Sequence, residues 1–386
     1  MAEKQECSKT AGKPIRCRAA VARKSMEPLV IEEVIVAPPK AYEVRIKVIC
    51  TSLCYSDITF WKRNEPGFYP IILGHESVGV VESVGDGVDE FKEGDIVIPQ
   101  WMAECKECDT CTSNKTNICS KFPFSISTFS RRDGTSRFTD LNGQTLNHFL
   151  YVSSFSEYTV VDIVHLTKLD VSIPPNKACL LSCGVSTGIG AAWRAADVES
   201  GSTVAIFGLG VIGFAVAEGS RLRGAERIIG VDLNPEKFEI GKKFGITDFI
   251  DARNCKDKSV SQIINEMTDG GADYCFECAG STDAMQEAFN SCRRGWGKTI
   301  VLGVEKPNQK LSLDSLVVLH SGKTLMGSLF GGSKPKTDIP LLAQSYMNKE
   351  LQLDCFITHE MKLEDINKAF ELLIQGKCHR CVMWMD

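Results

Sequence analysis

Residues 203–233 read TVAIFGLGVIGFAVAEGSRLRGAERIIGVDL. An apolar run, TVAIF, ends in glycine; helical apolar spacing follows from Val211; RIIGVDL is a second apolar run. Strand, helix and strand within about thirty residues predict a βαβ unit, since parallel strands need a crossover helix. Three glycines, Gly208, Gly210 and Gly213, lie where the first strand meets the helix. GxGxxG alone is weak, because such spacing arises by chance; the setting gives it meaning. The first glycine makes a tight turn, the second lets backbone approach a pyrophosphate, the third lets helix pack on strand, and the helix N-terminus attracts the anion. Asp232, ending the second strand, is placed to accept from a ribose diol and to repel a 2′-phosphate. The expected cofactor is therefore NAD(H) rather than NADP(H).

The alternation continues downstream with the helix PEKFEIGKKFG, the strand TDFIDA, the helix VSQIINEMTDG, the strand ADYCFECAG, the helix STDAMQEAFNSCRRG and the strand GKTIVLGV. This predicts an α/β, doubly wound parallel sheet. Upstream, from Arg16 to about Val161, short runs such as CRAAVA, LVIEEVIVAP, YEVRIKVIC, ESVGVVESVG and EGDIVIP are punctuated by glycine and proline. They predict a mostly antiparallel, partly closed β domain. The tail reads as a helix (TDIPLLAQSYMNKE), a strand, the helix LEDINKAFELLIQG and the strand CVMWM. VVLHSGKTLMGSLFG reads as an apolar strand pair.

At 386 residues the chain exceeds what one core usually organises. With 43% apolar and 24% charged residues, disorder, collagen and coiled coil are excluded. The balance of 44 Lys plus Arg against 49 Asp plus Glu, without long one-sign runs, gives no sign of a nucleic-acid or membrane surface. A small-molecule partner is expected. No apolar run approaches the roughly 18 residues that span a bilayer, and the polar start lacks a secretory apolar core, so the protein reads as cytosolic.

Among 17 cysteines, Cys105, Cys108, Cys111 and Cys119 form C-x2-C-x2-C-x7-C. Four thiolates on one loop suit a closed tetrahedral zinc site, which is structural because no ligand position stays open. Cys54, His75 and Cys183 are dispersed. Two Cys and one His make a three-ligand pattern with a free fourth position, but spacing does not join them, and a lone His is more often a satisfied core residue. His148, His165, His320, His359 and His379 keep that bland reading. So do most of the eleven other cysteines, Cys378 and Cys381 among them, which read as buried small hydrophobes.

GHESVGVVESVG around His75, the four-Cys lobe, SCGVSTGIGAAW, FGLGVIG with Asp232, and GKCHRCV stand in order along the chain. Together they resemble the zinc-dependent medium-chain alcohol dehydrogenases, and most closely their plant alcohol dehydrogenase-like branch, which GADYCFECAG and GSLFGGSKPKTDIP also resemble. The likeness runs from about Lys13 to the end, and VVLHSGKTLMGSLFG, being like the strand pair through which relatives join sheets, implies a homodimer. It implies a GroES-like β-rich catalytic domain over 1–185 and 329–386, with its zinc lobe at about 100–120, and a Rossmann NAD domain over 186–328.

The resemblance also implies roles. Cys54, His75 and Cys183 hold catalytic zinc, Asp57 orients the His75 ring, Glu76 is a nearby carboxylate, and Ser56 takes the substrate proton. Cys105, Cys108, Cys111 and Cys119 hold a second zinc. Gly208, Leu209, Gly210, Val211, Ile212 and Gly213 carry the pyrophosphate turn, with Asp232 and Lys237 at the adenosine ribose and Arg380 at the pyrophosphate. Tyr55, Thr187, Leu302, Gly303, Val304 and Phe330 resemble residues around the cofactor. The implied reaction is hydride transfer between NAD(H) and an alcohol or aldehyde of specialised metabolism; the alternative is a hydroxynitrile lyase on the same scaffold, with NAD structural.

Three positions depart from the family. Tyr55 stands where a His or Arg usually meets the cofactor phosphates; losing a charged hydrogen bond costs about 1.5–3 kcal/mol, or about tenfold to a hundredfold in affinity. Thr59 replaces a proton-relay His, and a Thr cannot store a proton near neutral pH. Pro123 stands where glutathione-adduct formaldehyde dehydrogenases carry an Arg, which sets that substrate aside. Residues 122–150, with Phe60, Trp61 and Phe122, are the expected substrate-pocket wall, although each aromatic has an equally good core reading.

Overall fold

The computed structural model describes residues 10–125, 132–170, 172–255, 257–304 and 309–386. The chain forms two compact units, Met1–Cys183 with Lys334–Asp386, and Gly184–Ser333. The breaks thus fall after Cys183 and Ser333 rather than after 185 and 328.

In the first unit, strands Ile15–Ala22, Val30–Val36, Phe138–Asp140, Thr145–His148 and Ile71–Ile72 close into a barrel. Alternation sets the inner face: Ile15, Cys17 and Ala19 are buried while Arg16 and Arg18 are exposed. A second sheet runs in the order Leu166–Lys168, Ile96–Pro99, Glu76–Val84, Glu43–Ser52, Arg380–Trp384 and Ile357–Lys362, and Tyr158–Asp162 also pairs with Glu43–Ser52. Val44, Ile46, Val81, Phe91, Val97, Val161 and Leu166 pack together on this sheet, each large side chain contributing about 1.5–3 kcal/mol by leaving water. The register matters for the site. Ser52 lies opposite Glu76 on one side and opposite Val382 on the other, so three strands deliver Cys54, Glu76 and Arg380 to one region of the sheet.

The second unit is a parallel sheet ordered Asp248–Asp251, Arg227–Asp232, Thr203–Phe207, Tyr274–Glu277, Lys298–Val301 and Thr324–Gly327. The chain starts at a central strand, builds outward one way, then returns and builds the other way. That reversal leaves a crevice at the carboxyl ends of the central strands, where nucleotides bind in such sheets. One expected element is corrected. The apolar run is no strand pair: Ser315–Ser321 is a helix, and only Thr324–Gly327 is a strand, paired along one edge with Lys298–Val301. Asp314 caps the helix by accepting from the backbone N–H of Leu316 and Val317, and Gly322 ends it in the left-handed region at φ 64°. A short apolar run is ambiguous by periodicity alone, and here the caps decide it. Among the described residues no helix is long and apolar enough to cross a membrane.

Candidate metal and nucleotide sites

Cys54 is the N-cap of the helix Tyr55–Trp61, and Asp57 on that helix organises the first site. Its Oδ2 accepts the Cys54 backbone N–H at 2.9 Å, and its Oδ1 accepts the Gly74 N–H at 3.1 Å. The same Oδ1 lies 3.1 Å from His75 Nδ1. A carboxylate can only accept, so Nδ1 carries a ring proton and Nε2 is the ring atom that remains to ligate a metal. That Nε2 is buried and has no hydrogen-bond partner among the described residues. An orphaned ring nitrogen in the interior is costly unless something binds there.

Ligand atoms of Cys54, His75, Glu76 and Cys183 all lie within 4.8 Å of one another, and all four residues are buried. Cys183 enters from the end of the short helical turn Cys179–Ser182. Arg380 grips Glu76 with two bonds, Nε to Oε2 at 2.9 Å and Nη2 to Oε1 at 2.8 Å, and Nη2 lies 3.5 Å from Cys54 Sγ. Two soft sulfurs and an imidazole match zinc, and the carboxylate held by Arg380 stands beside them. Burial pushes Glu76 up to about 7 against the pull of Arg380. The Cys54 thiol is drawn well down, first by a hydrogen bond from Cys183 and, against burial, by Arg380 and His75, so it readily supplies a thiolate.

Cys105, Cys108, Cys111 and Cys119 also bring their sulfurs within 4.8 Å of one another. Hydrogen bonds from Ser120 and then Thr110 lower Cys108 to about 4, whereas burial raises Cys111 and Cys119. The lobe is tied down from one side by Lys334, whose Nζ donates to the Cys111 and Ser113 carbonyls at 2.6 Å each. Glu104 adds two anchors, accepting from the Lys336 N–H at 2.7 Å and the Thr337 hydroxyl at 3.1 Å.

In the second unit, Gly208 has φ +98°, and a Cβ there would meet the Ala279 backbone at 2.9 Å. A Cβ on Gly213 would lie 2.1 Å from the Gly208 carbonyl oxygen, while that of Gly210 would meet nothing within 4 Å. The first and third glycines are thus demanded by the fold itself; the second leaves open space in front of the helix Val211–Leu222 that begins with Val211, Ile212 and Gly213. Asp232 accepts from Leu209 N–H at 2.7 Å, Asn234 N–H at 2.8 Å and Lys237 Nζ at 2.9 Å. Leu302 and Gly303 donate their N–H groups to the Glu277 carbonyl at 2.8 and 3.0 Å, and Val304 is exposed. Thr187 and Phe330 are buried, with the Thr187 carbonyl against Gly331. Of these positions, Gly210 leaves open backbone that a pyrophosphate can approach.

Tyr55 and Arg380 belong to the first unit. Tyr55 is 56% exposed, and Ser56 beside it is half-buried. Thr59 Oγ1 donates back to the Tyr55 carbonyl at 3.1 Å. Arg380's grip on Glu76 was missed in the sequence, and no spacing could have revealed it, since the two residues are 304 positions apart. Among the expected wall residues, Phe149 reaches the site, its ring centroid 5.6 Å from that of His75. Phe60 packs on Phe149 at 4.9 Å, whereas Trp61 packs on Phe370 and donates to the Glu27 carbonyl at 2.8 Å. Phe122 lies with the zinc lobe. Residues 126–131 of the expected wall lie outside the described residues.

Residues 40–171 match the model of the alcohol dehydrogenase GroES-like domain, and residues 211–344 that of the zinc-binding dehydrogenase. A protein of Arabidopsis thaliana named alcohol dehydrogenase-like 7 is 63% identical over 380 residues, 98% of this chain and 97% of its own. The alcohol dehydrogenase class-3 of Oryza sativa subsp. japonica is 47% identical over 381 residues, 98% of this chain and 99% of its own. The crystal structure of benzyl alcohol dehydrogenase from Acinetobacter calcoaceticus superposes with a TM-score of 0.87 at 26% identity, covering 96% of this chain and all of that one.

Proposed function

Because this chain belongs to the zinc-dependent medium-chain alcohol dehydrogenases, in their plant branch, we propose that it transfers hydride between NAD(H) and an alcohol or aldehyde of specialised metabolism, with two zinc ions per chain. The observation that carries this reading is the buried, unpartnered Nε2 of His75 among the sulfurs of Cys54 and Cys183. Two cysteines and a histidine are the catalytic zinc set of alcohol dehydrogenases. Bound there, zinc supplies a Lewis acid that polarises a carbonyl or acidifies an alcohol, and NAD(H) supplies the hydride carrier.

The chain's own groups do the rest. Asp57 fixes the His75 tautomer and holds the Cys54 backbone in the same contact. Arg380 offsets the negative charge of Glu76 and two thiolates. Ser56, on the first turn of the helix capped by Cys54, accepts the substrate proton and passes it on. Thr59 already donates to its own helix, so the proton leaves through water. Tyr55 offers a phenol where the family offers a cation, which weakens hold on the cofactor phosphates. Pro123 withholds the cation that a glutathione adduct's carboxylate would need.

The enzyme acts as a cytosolic homodimer. Leu316, Val317, Val318 and Leu319 are exposed on their helix, Leu319 at 73%, beside the strand Thr324–Gly327. An apolar face next to a sheet edge favours a second copy that continues the sheet across a two-fold axis.

Tyr55 and Thr59 also favour a second reading, cyanohydrin cleavage by the same metal and Ser56 with NAD structural. The two separate in one assay. With a panel of aldehydes, redox chemistry consumes NADH in proportion to product, and Ser56→Ala cuts turnover by roughly 10²–10⁴. Cyanohydrin breakdown with no cofactor turnover on any aldehyde would overturn the redox reading.

A further inference from the structure

Cys378 and Cys381 come together beside the metal residues. They flank His379 and Arg380 where the chain enters the strand Arg380–Trp384, and both are buried, at 5% and 0% exposure. Both side chains belong to the same buried cluster, and each thiol shifts the other's titration. On the neighbouring strand the ladder slips between Ile357 and His359. This bulge lets the Thr358 hydroxyl reach Cys378 Sγ at 3.3 Å, the Arg380 carbonyl at 3.2 Å, the His379 N–H at 3.1 Å and His359 Nδ1 at 3.0 Å. The Cys381 carbonyl accepts the Leu53 N–H at 3.0 Å, one residue before the metal ligand Cys54. Two other buried thiol pairs, Cys50 with Cys179 and Cys275 with Cys292, are at most 1% exposed. Cys378 differs in keeping a small exposure, 5%, and it follows the exposed Gly376 and Lys377.

We propose that Cys378 and Cys381 form a reversible oxidation site, in which a hydroperoxide converts the two thiols to an intrachain disulfide that bears on Arg380. The Cys378 thiolate attacks the hydroperoxide; an S–O bond forms, the O–O bond breaks, and the departing oxygen takes a proton and leaves as alcohol or water. The Cys381 sulfur then attacks the Cys378 sulfenic acid; the S–S bond forms, the S–O bond breaks, and hydroxide leaves as water with the Cys381 proton. Two thiols are oxidised and one hydroperoxide is reduced. Cys378 suits the first step, since its thiol is lowered to about 6, first by Cys381 and then, against burial, by Thr358 and His359. Arg380 lies between the two sulfurs in the chain and holds both Glu76 and the Cys54 sulfur, so closing the bond strains the guanidinium's position.

The test uses the zinc-loaded full chain and hydrogen peroxide, followed by alkylation of free thiols and digestion without reductant. Trypsin cuts after Lys377 and Arg380, so only a disulfide joins residues 378–380 to 381–386. The expected result is that linked species in place of both free peptides, with zinc still bound by chelator assay. Dithiothreitol should restore both peptides, and activity should fall and recover in step. Cys378→Ser should give no linked peptide and keep its activity at the same dose; if that variant does not fold, the wild-type digest still decides. Recovery of both peptides as alkylated thiols after peroxide would overturn the proposal. So would a link found only in molecules that had lost zinc.

Discussion

Asp57→Asn isolates what positions the proposed catalytic metal ligands. The carboxylate takes three donors: Cys54 N–H on Oδ2, and Gly74 N–H with His75 Nδ1–H on Oδ1. Asparagine is nearly the same shape but must turn its NH2 toward one of these sides. Facing Cys54 it loses one hydrogen bond; facing Gly74 and His75 it loses two and frees the imidazole. The first orientation is therefore preferred. It leaves a buried Cys54 N–H unpaired, at about 1–3 kcal/mol, and turns two charge-assisted bonds into neutral ones, at about 1 kcal/mol each. Total destabilisation is then about 3–5 kcal/mol, of which only the share acting through His75 and Cys54 reaches the metal. Losing such a partner lowers metal affinity about 10–100-fold, or about 1.4–2.8 kcal/mol. A chelator titration on the holoenzyme should show two zinc ions per chain, one released 10–100-fold more easily in the variant and one unchanged. The unchanged ion, held by Cys105, Cys108, Cys111 and Cys119, is the internal reference. Equal weakening of both ions, or none, would refute the assignment of Asp57.

Asp232→Gly should shift cofactor preference toward NADP by about tenfold to a hundredfold while weakening both cofactors, because Asp232 also holds the Leu209 and Asn234 N–H groups. An unchanged ratio of kcat/KM values would show that Asp232 does not face the ribose. His148 is buried, accepts the Arg137 N–H at 3.1 Å, and is held down to about 3 by burial and by Arg137. Its unfolded value is about 6.5, so below that pH the unfolded chain binds the proton first, and stability falls with acid by up to about 1.4 kcal/mol per pH unit. Urea midpoints from pH 6.5 to 5 should show this slope, and His148→Gln should flatten it; equal slopes would sink the reading. Leu319→Glu should turn a dimer into a monomer in sedimentation at micromolar concentration, and a parent protein that sediments as a monomer would disprove the interface.

How much of this was legible depends on whether the signal was local. The glycine turn was, because Gly208 and Gly213 answer to nearby atoms: the Gly208 turn needs positive φ, and Gly213 faces the Gly208 carbonyl. The four-Cys lobe was, because one loop must supply every ligand. The helix Ser315–Ser321 was misread because its apolar residues face outward, where neither helical nor strand periodicity applies. Its caps, Asp314 and Gly322, were the usable local signal.

The cluster of Cys54, Glu76 and Arg380 is the opposite case, since sheet register assembles it. Cys54 follows the strand Glu43–Ser52, Glu76 begins the strand on one side of it, and Arg380 begins the strand on the other; pairing of Ser52 with Glu76 and Val382 makes them neighbours. A shift of one residue in either ladder would turn Glu76 or Arg380 to the opposite face and leave a buried charge without its partner, a loss of about 3–5 kcal/mol. The ion pair therefore acts as a register lock as well as a charge balance for the metal thiolates. It also explains why no linear motif could announce it: its specificity lies in the pairing of three strands drawn from distant parts of the chain.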